Sequence, residues 1–441
     1  MLMSMIQEKM IDCKGLEQKI FADVCKMGRE YFAEVLAEVD RELHKSRDKS
    51  VLRDKGKCRT TLKTVMGEVE IYRHVYTFVN EEGKNGTIYL LDKAMGREDF
   101  GLFSEMLIEQ IGASVCESTF RATANEISSL TGQTISHTAV WQIAQKLGER
   151  VDKTEEKNAF LASDNKGLGE LETKLLFEEQ DGIHLSLQGE DRKNHGEKKE
   201  MKLAIAYDGW VSEGKNRYKL TNKIACANFE SVGKFRKRKE GVIAANYDVD
   251  EIEVRVLNGD GASWIKKTDD IDTIYQLDPF HRNRELVRAA PDETARDEML
   301  KLLYSKRIED LLTYIDALAN SVEDEKTEVR LRNLHTYFSN NSDGLVAYKR
   351  RGIELPKPPD GKEYRTLGTC ESNIFSIIGN RMKGRRACWQ MAVRFVKTTK
   401  RYAPALFGYS LRKNTQAKSQ TKHCRREQLG EAVVLETHRE T

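Results

Sequence analysis

The chain has 441 residues, 32% of them charged and 39% hydrophobic, enough for two to three domains with buried cores and too apolar for a disordered chain. Its eight cysteines form no CxxC pair, which argues against a zinc ribbon and against a disulfide framework, and no run of 18 apolar residues provides a membrane span. The net charge of +3 conceals a block from Arg381 to Arg426 with 14 Lys/Arg and no acid, which leaves the rest of the chain at −11.

Such a block suits a polyanion, nucleic acid foremost, although a basic run also reads as a solvated tail. It contains Trp389, Phe395, Tyr402, Phe407 and Tyr409, which suit docking on nucleic acid or fixing a terminal helix to a core. The N-terminal residues mix Glu8, Lys9, Asp12, Lys14 and Glu17 with apolar ones, unlike a signal peptide. Reduced thiols and a cytoplasmic location are expected.

Along the chain, Phe21, Val24, Met27, Tyr31, Phe32, Val35 and Leu36 recur at helical spacing and predict a helix from the N-terminus to about residue 48. Arg59–Val65 and Glu68–Phe78 predict a hairpin turning at Met66-Gly67, followed by a loop at 80–86. Residues 101–150 predict helices. Phe120, Ala124, Ile127 and Leu130 form one stripe; Thr131-Gly132-Gln133 forms a turn; Ser136 caps a second helix with Val140, Ile143, Ala144 and Leu147 inward. This pair fits a helix-turn-helix or an ordinary helical hairpin. If it binds DNA, His137, Thr138, Gln142, Gln145 and Lys146 face the duplex.

From 171 to 265 the period changes to two. Leu175-Leu176-Phe177 leads into Asp181-Gly182-Ile183-His184-Leu185. A charged turn (Gly189 to Lys199) precedes Met201, Leu203, Ile205 and Tyr207. Tyr218, Leu220, Ile224 and Cys226 make a third run. The basic segment 234–239 crosses over to Ile252, Val254 and Val256, which lead to Asp260. Three consecutive strands, a crossover and a fourth strand is the order of a ribonuclease-H-like sheet. Thr273–Leu277 is a further strand ending at Asp278-Pro279-Phe280-His281, residues 282–338 are helical, and Pro356, Pro358 and Pro359 break the pattern before Glu371.

Asp181 and Asp260 each abut apolar runs that should be buried, and each is followed by glycine, which permits a tight turn and close approach. A carboxylate at a buried strand end is costly without a cation or partner. Two such aspartates and a helix-borne glutamate can hold two Mg²⁺ ions, which lie roughly 3.5–4 Å apart in phosphodiester-cleaving sites and take oxygen ligands. Any one of the 70 acids is more often a solvated surface group. Asp278 and His281 form an auxiliary pair: His281 can contact phosphate or orient a carboxylate, or the pair is simply a helix cap and a satisfied histidine. His184 and Asp208 read as structural.

The runs Asp181-Gly182-Ile183-His184-Leu185, Leu257-Asn258-Gly259-Asp260-Gly261-Ala262-Ser263-Trp264-Ile265 and Leu277-Asp278-Pro279-Phe280-His281 resemble the ISLre-type (member two) insertion-sequence transposases, also catalogued as an uncharacterised protein family. The resemblance covers nearly the whole chain, including Cys370-Glu371 and the following Arg381, Lys383, Arg385 and Arg386. It implies a DDE transposase: an α/β fold with a ribonuclease-H-like mixed-sheet core, a helical insertion between the second Asp and the Glu, and a mainly helical N-terminal region containing the helix-turn-helix. The Asp-x-x-His element is similar to that of Mutator-like transposases. Glu354 and Glu363 are rivals to Glu371 as third acid, but lie in a Pro/Gly-broken loop.

The expected organisation is an N-terminal helix and hairpin (1–100), a helical DNA-binding region (101–165), the first part of the core (171–284), a helical insertion (285–360), the C-terminal part of the core with Glu371 (361–400) and a basic tail (401–441). Asp181, Asp260 and Glu371 would bind two Mg²⁺, with Mn²⁺ as an alternative. Partners would be double-stranded DNA, as element ends and target, and further copies of the chain in a dimeric or larger synaptic complex. The enzyme would be nucleoid-associated. A ribonuclease-H-like nuclease without strand transfer, and an inactive DNA-binding descendant of a transposase, are the alternatives.

Overall fold

Helices and a three-stranded sheet occupy the chain up to residue 163, a larger sheet dominates 175–277, and helices follow from 279. In a computed structural model, residues 12–80, 83–96, 100–164, 169–266 and 273–383 are described. Arg385, Arg386 and the basic tail lie outside them. The chain forms two compact units that meet in sequence at positions 147 and 148. Among the described residues, no helix is long and apolar enough to cross a membrane.

In the first unit, α1 (Cys13–Ser46) starts where the Asp12 side chain accepts a hydrogen bond from the Gly15 amide at 3.1 Å. Its second half lies on an antiparallel sheet of β1 (Arg53–Thr64), β2 (Gly67–Val79) and β3 (Asn85–Ile88). Leu36, Leu62, Val69, Ile71 and Leu91 form the shared core. The apolar spacing extends further than the burial: Phe21, Val24, Met27 and Tyr31 stay exposed because the sheet reaches only the later turns. β3 occupies part of what reads as loop in the sequence, pairing Asn85 with Val79.

After α2 (Leu90–Ala94) and α3 (Glu105–Glu117), α4 (Phe120–Thr131) is capped by Thr119, whose hydroxyl accepts from the Ala122 amide. It ends at Gly132 with φ of 65°, a left-handed conformation that glycine adopts without strain. α5 (His137–Ser163) starts at the Ser136 cap, as its sequence predicts, with Val140, Ile143, Ala144 and Leu147 buried. Leu130, placed on the inward stripe from spacing, is exposed; Thr123 is buried instead, beside Ala124 and Ile127.

The second unit is built on a five-stranded mixed sheet. β4 (Leu175–Ser186) is its centre. It pairs antiparallel with β5 (Lys198–Tyr207) and parallel with β9 (Val254–Gly259), and β8 (Ile224–Asn228) and β10 (Thr273–Leu277) form the edges. The charged stretch at 189–199 is a short helix, α6 (Gly189–His195), rather than a turn alone. The third apolar run splits into two parts: β7 (Arg217–Leu220) pairs with β6 (Trp210–Gly214) in a separate hairpin, and only β8 joins the sheet.

The sheet buries both faces. Phe177, Ile183, Leu185, Leu203, Ile205 and Tyr207 pack with Ile374, Ile378 and Met382 from the C-terminal helix. Leu176, Ala204, Ala206 and Cys226 pack with Phe235, Val242 and Ile243 of α7 (Val232–Ala244). A strand buried on both faces reads as a nearly continuous apolar run. After α8 (Ser263–Lys266) and β10, four helices follow: α9 (Pro279–Ala289), α10 (Glu293–Tyr304), α11 (Ile308–Ser321) and α12 (Glu325–Ser339). They share a core around Leu286, Met299, Leu311, Ile315, Leu331 and Phe338. α13 (Cys370–Ile374) continues into a π-helix over Phe375–Lys383.

One buried cation ties α5 to α7. Arg238, 4% exposed, lies 2.7 Å from Asp152 and Glu230, 3.1 Å from Glu156 and 3.6 Å from Glu155. Four carboxylates surround one guanidinium, whose charge offsets their mutual repulsion. Arg238→Ala is expected to cost about 3–5 kcal/mol, because it leaves the acids without their counter-charge. Urea unfolding followed by circular dichroism measures it; a loss under about 1 kcal/mol, typical of a surface pair, would show that the cluster is solvated.

Candidate metal centre

The centre is assembled on β4. Its period of two sends Glu178 to one face of the sheet and Glu179 and Asp181 to the other. Asp181 is 8% exposed and pairs in register with Leu203 of β5. Gly182, expected to provide a turn, is a strand residue. A side chain there would collide with the Glu200 carboxylate, so the missing Cβ is room for a neighbouring acid. The glycine after Asp260 does turn the chain: Gly261 has φ of 94°.

Asp260 follows the last residue of β9, and its carboxylate accepts from the Ala262 amide at 2.9 Å. Its carbonyl accepts from the Tyr337 hydroxyl at 2.6 Å, which fastens the loop to α12. Burial raises the Asp260 pKa, and the charge of Asp181 raises it further.

His281 comes from the first turn of α9. The Asp278 carboxylate caps that helix, accepting from the Phe280 and His281 amides at 3.0 and 3.1 Å, with Pro279 in the first turn. His281 Nε2 lies 3.1 Å from Glu371 Oε1 and 3.7 Å from Asp181 Oδ2. Glu371 stands in the first turn of α13. Ligand atoms of Asp181, His281 and Glu371 all lie within 4.8 Å of one another. Asp260, expected as a ligand, is not in this group, and neither is Glu354 or Glu363.

His281 Nδ1 faces an Arg284 guanidinium nitrogen at 3.1 Å. Arginine can only donate, so Nδ1 is assigned as acceptor and Nε2 as the N–H. That buried Nε2 has no well-directed hydrogen bond despite its two acidic neighbours. An N–H held between carboxylates, with a third carboxylate close by, fits a site in which oxygens hold a cation and the imidazole orients them. Hard divalent cations prefer carboxylate oxygen to imidazole.

Asp181 raises the His281 pKa above its ordinary value, against the opposing effect of burial. A raised histidine pKa stabilises the fold fully below about pH 6.5, and that contribution is lost as pH rises through the raised value.

Several other predicted positions are not among the three grouped residues. His137, Thr138, Gln142 and Lys146 are exposed on α5 and Gln145 is half-buried, all within the first unit. Lys383 is exposed and Arg381 half-buried at the end of the π-helix. Asp208 is buried and accepts from Thr221, Asn222 and Lys362, as a structural group would. His44, Asp54 and His74 also bring ligand atoms within 4.8 Å of one another. There the imidazoles stack at 4.0 Å and 21°, so their in-plane lone pairs do not converge. Asp40 and Tyr76 bind the two Nδ1 atoms, and the arrangement is a hydrogen-bonded histidine pair.

Spacing gave no role to three residues that shape the centre: Glu179, Asn258 and Tyr337. Glu179 is fully buried, and burial raises its pKa while the Thr369 and Tyr207 hydroxyls oppose the rise. Asn258 donates to Glu179 at 3.0 Å and to Asp278 at 2.8 Å. The available signal was the run Glu178-Glu179-Gln180-Asp181 inside an otherwise apolar strand.

The His281 pKa, followed by NMR, is expected above 6.5 and is expected to fall in Asp181→Asn. An unchanged value in that variant would remove Asp181 as the cause.

The relatives the chain matches are named only as UPF0236 proteins. It is 26% identical over 341 residues to a UPF0236 protein of Caldanaerobacter subterraneus subsp. tengcongensis, a match covering 73% of this chain and 66% of that protein. A second protein of that organism, 25% identical over 336 residues (73% of this chain, 65% of that one), bears one name joining eleven locus designations. A Streptococcus gallolyticus protein, described as the UPF0236 protein in the vanSb 3′ region, is 23% identical over 333 residues, or 74% of this chain and 68% of that one. The chain spans about two thirds of the length of these relatives. The model of an uncharacterised protein family, UPF0236, matches residues 6–413, and the chain belongs to that family.

Proposed function

We propose that this chain is a DNA transposase that cuts at the ends of an insertion sequence and joins the freed 3′-OH to target DNA. The observation that carries the reading is the convergence of Asp181, Glu371 and His281, with Asp260 close enough to Asp181 to be shifted by its charge. The sheet supports it: three antiparallel strands (β4, β5, β8), the crossover helix α7 and two parallel strands (β9, β10) follow the ribonuclease-H-like order. The relative with eleven locus designations in one genome supports it too, because a repeated locus is what a mobile element leaves.

Asp181, Asp260 and Glu371 would hold Mg²⁺, which supplies a nucleophile active at neutral pH and neutralises the leaving oxygen. His281 places Nε2 between Asp181 and Glu371, 3.7 and 3.1 Å from their carboxylates, and would help hold the two together. A cavity of about 450 Å³ adjoins Asp260 and His281 and carries Arg284, Arg288 and Arg330 on its walls, the first two paired with Glu285, which also lines it. Guanidinium groups pair readily with phosphate oxygens, so this groove suits the strand that presents its phosphodiester to the acids. In the first step a water oxygen bonds to phosphorus and the P–O3′ bond breaks, leaving a 3′-OH. In the second, that 3′-oxygen bonds to a target phosphorus and displaces the target's own 3′-oxygen. The exposed residues of α5 are proposed to contact element DNA as part of a helix-turn-helix, and a dimer or larger assembly would hold the two ends.

Oligonucleotides bearing the repeats that flank the coding sequence test this. Wild type is expected to cleave them with Mg²⁺ or Mn²⁺ and to join precleaved ends to a second duplex; Asp181→Ala and Asp260→Ala should yield neither product. Hydrolysis without joining would mean a nuclease. Wild type and Asp260→Ala behaving alike would leave only DNA binding. Replacing Arg284, Arg288 and Arg330 by alanine should weaken binding and flatten the salt slope by about one for each phosphate no longer neutralised.

A further inference from the structure

Glu179 does not belong to the metal centre, yet three of the centre's elements meet on its carboxylate. Oε2 accepts from the amides of Gly368, Thr369 and Cys370 at 3.1, 2.9 and 3.1 Å, and from Asn258 Nδ2 at 3.0 Å. Oε1 accepts from the Tyr207 and Thr369 hydroxyls, each at 2.6 Å. Six donors converge on one side chain. The first amides of a helix have no partner within it, and a carboxylate placed there satisfies them and matches the helix dipole. The helix in question carries Glu371 one residue further on. The Asn258 amide that reaches Glu179 also reaches Asp278, the cap of the helix bearing His281. Gln276 Nε2, 3.3 Å from the Asn258 carbonyl oxygen, holds that amide's orientation.

The strand parity explains why this residue can do it. Glu179 is two positions before Asp181 and so projects from the same face of β4. Burying a carboxylate there is costly. A core needing only volume would use an apolar residue, as positions 175, 177 and 183 on that face do. We propose that Glu179 is a positioning residue: it seats the N-terminus of the Glu371 helix against the strand bearing Asp181 and, through Asn258, fixes the His281 helix, so that the acids share one cation site. The proposal rests on reading Asp181, Asp260 and Glu371 as cation ligands.

Two variants separate anchoring from bulk. Glu179→Met keeps approximate volume but offers no acceptor to the three amides. Glu179→Gln keeps one acceptor oxygen and should rescue in part. Mn²⁺ affinity, measured by calorimetry on the full chain, is expected to fall about 10–100-fold in Glu179→Met, the range for residues that orient metal ligands, and less in Glu179→Gln. Hydrogen exchange at Gly368, Thr369 and Cys370 should accelerate in the same order. Thr369→Ala, a milder change, should shift both readings in the same direction if Glu179→Met does not fold. Glu371→Gln should lower Mn²⁺ affinity while leaving those amides protected. Folded Glu179 variants with wild-type Mn²⁺ affinity would overturn the proposal and leave the centre intact. A wild-type chain that binds no Mn²⁺ would instead defeat the cation site itself, and the positioning role with it.

Discussion

The central strand of the sheet is charged, and the second unit is organised by the need to compensate that charge. Glu178, Glu179 and Asp181 lie in β4, each under a tenth exposed, within a strand whose neighbours are also buried. Carboxylates in such a place need counter-charges or donors. The alternation of the strand separates the requirements. Glu178 on one face pairs with Lys239 of α7 at 2.5 Å and with Arg255 of β9 at 3.3 Å. Glu179 on the other collects donors from β5, β9 and the start of α13. Asp181 has the Gly182 amide and the nearby His281. The acids of one strand are therefore compensated by different elements on the two faces.

A consequence is that the site and the core cannot be separated. Ile374, Ile378 and Met382 bury the helix that carries Glu371 in its first turn, and Phe177, Tyr207 and Tyr348 pack with them. The same apolar packing that stabilises the sheet holds a half-exposed acid within 3.1 Å of His281. On the other side of the centre, Tyr337 joins the helical segment 279–339 to the Asp260 loop. The helices between Asp260 and Glu371 thus also line the cavity beside Asp260.

The sequence disclosed most of the local structure around the centre and little of its support. Asp260 after a strand, Asp278 capping a helix and Glu371 opening one were legible because caps, turns and periodicity act within a few residues. The Ser136 cap was legible for the same reason. Glu179 was not: strand parity puts it on the face of Asp181, but its partners lie up to 191 positions away. The exposure of Leu130 and of Phe21 to Tyr31 was equally hidden, since spacing shows which side of a helix is apolar but not how far the neighbouring sheet extends. The split of the third strand run into β7 and β8 depends on which partner strand is available, again a long-range matter.

Gly182 has a consequence for how such chains vary. The space its hydrogen leaves is filled by the Glu200 side chain of the adjoining strand. A larger residue at 182 would push aside the end of the Glu200 side chain, whose charge contributes to the negative field around Asp260. Positions 182 and 200 are therefore coupled in space: a side chain added at the first redirects the carboxylate at the second. A chain that kept the aspartate but lost the glycine would keep the motif's most visible letter and lose the shape that surrounds it.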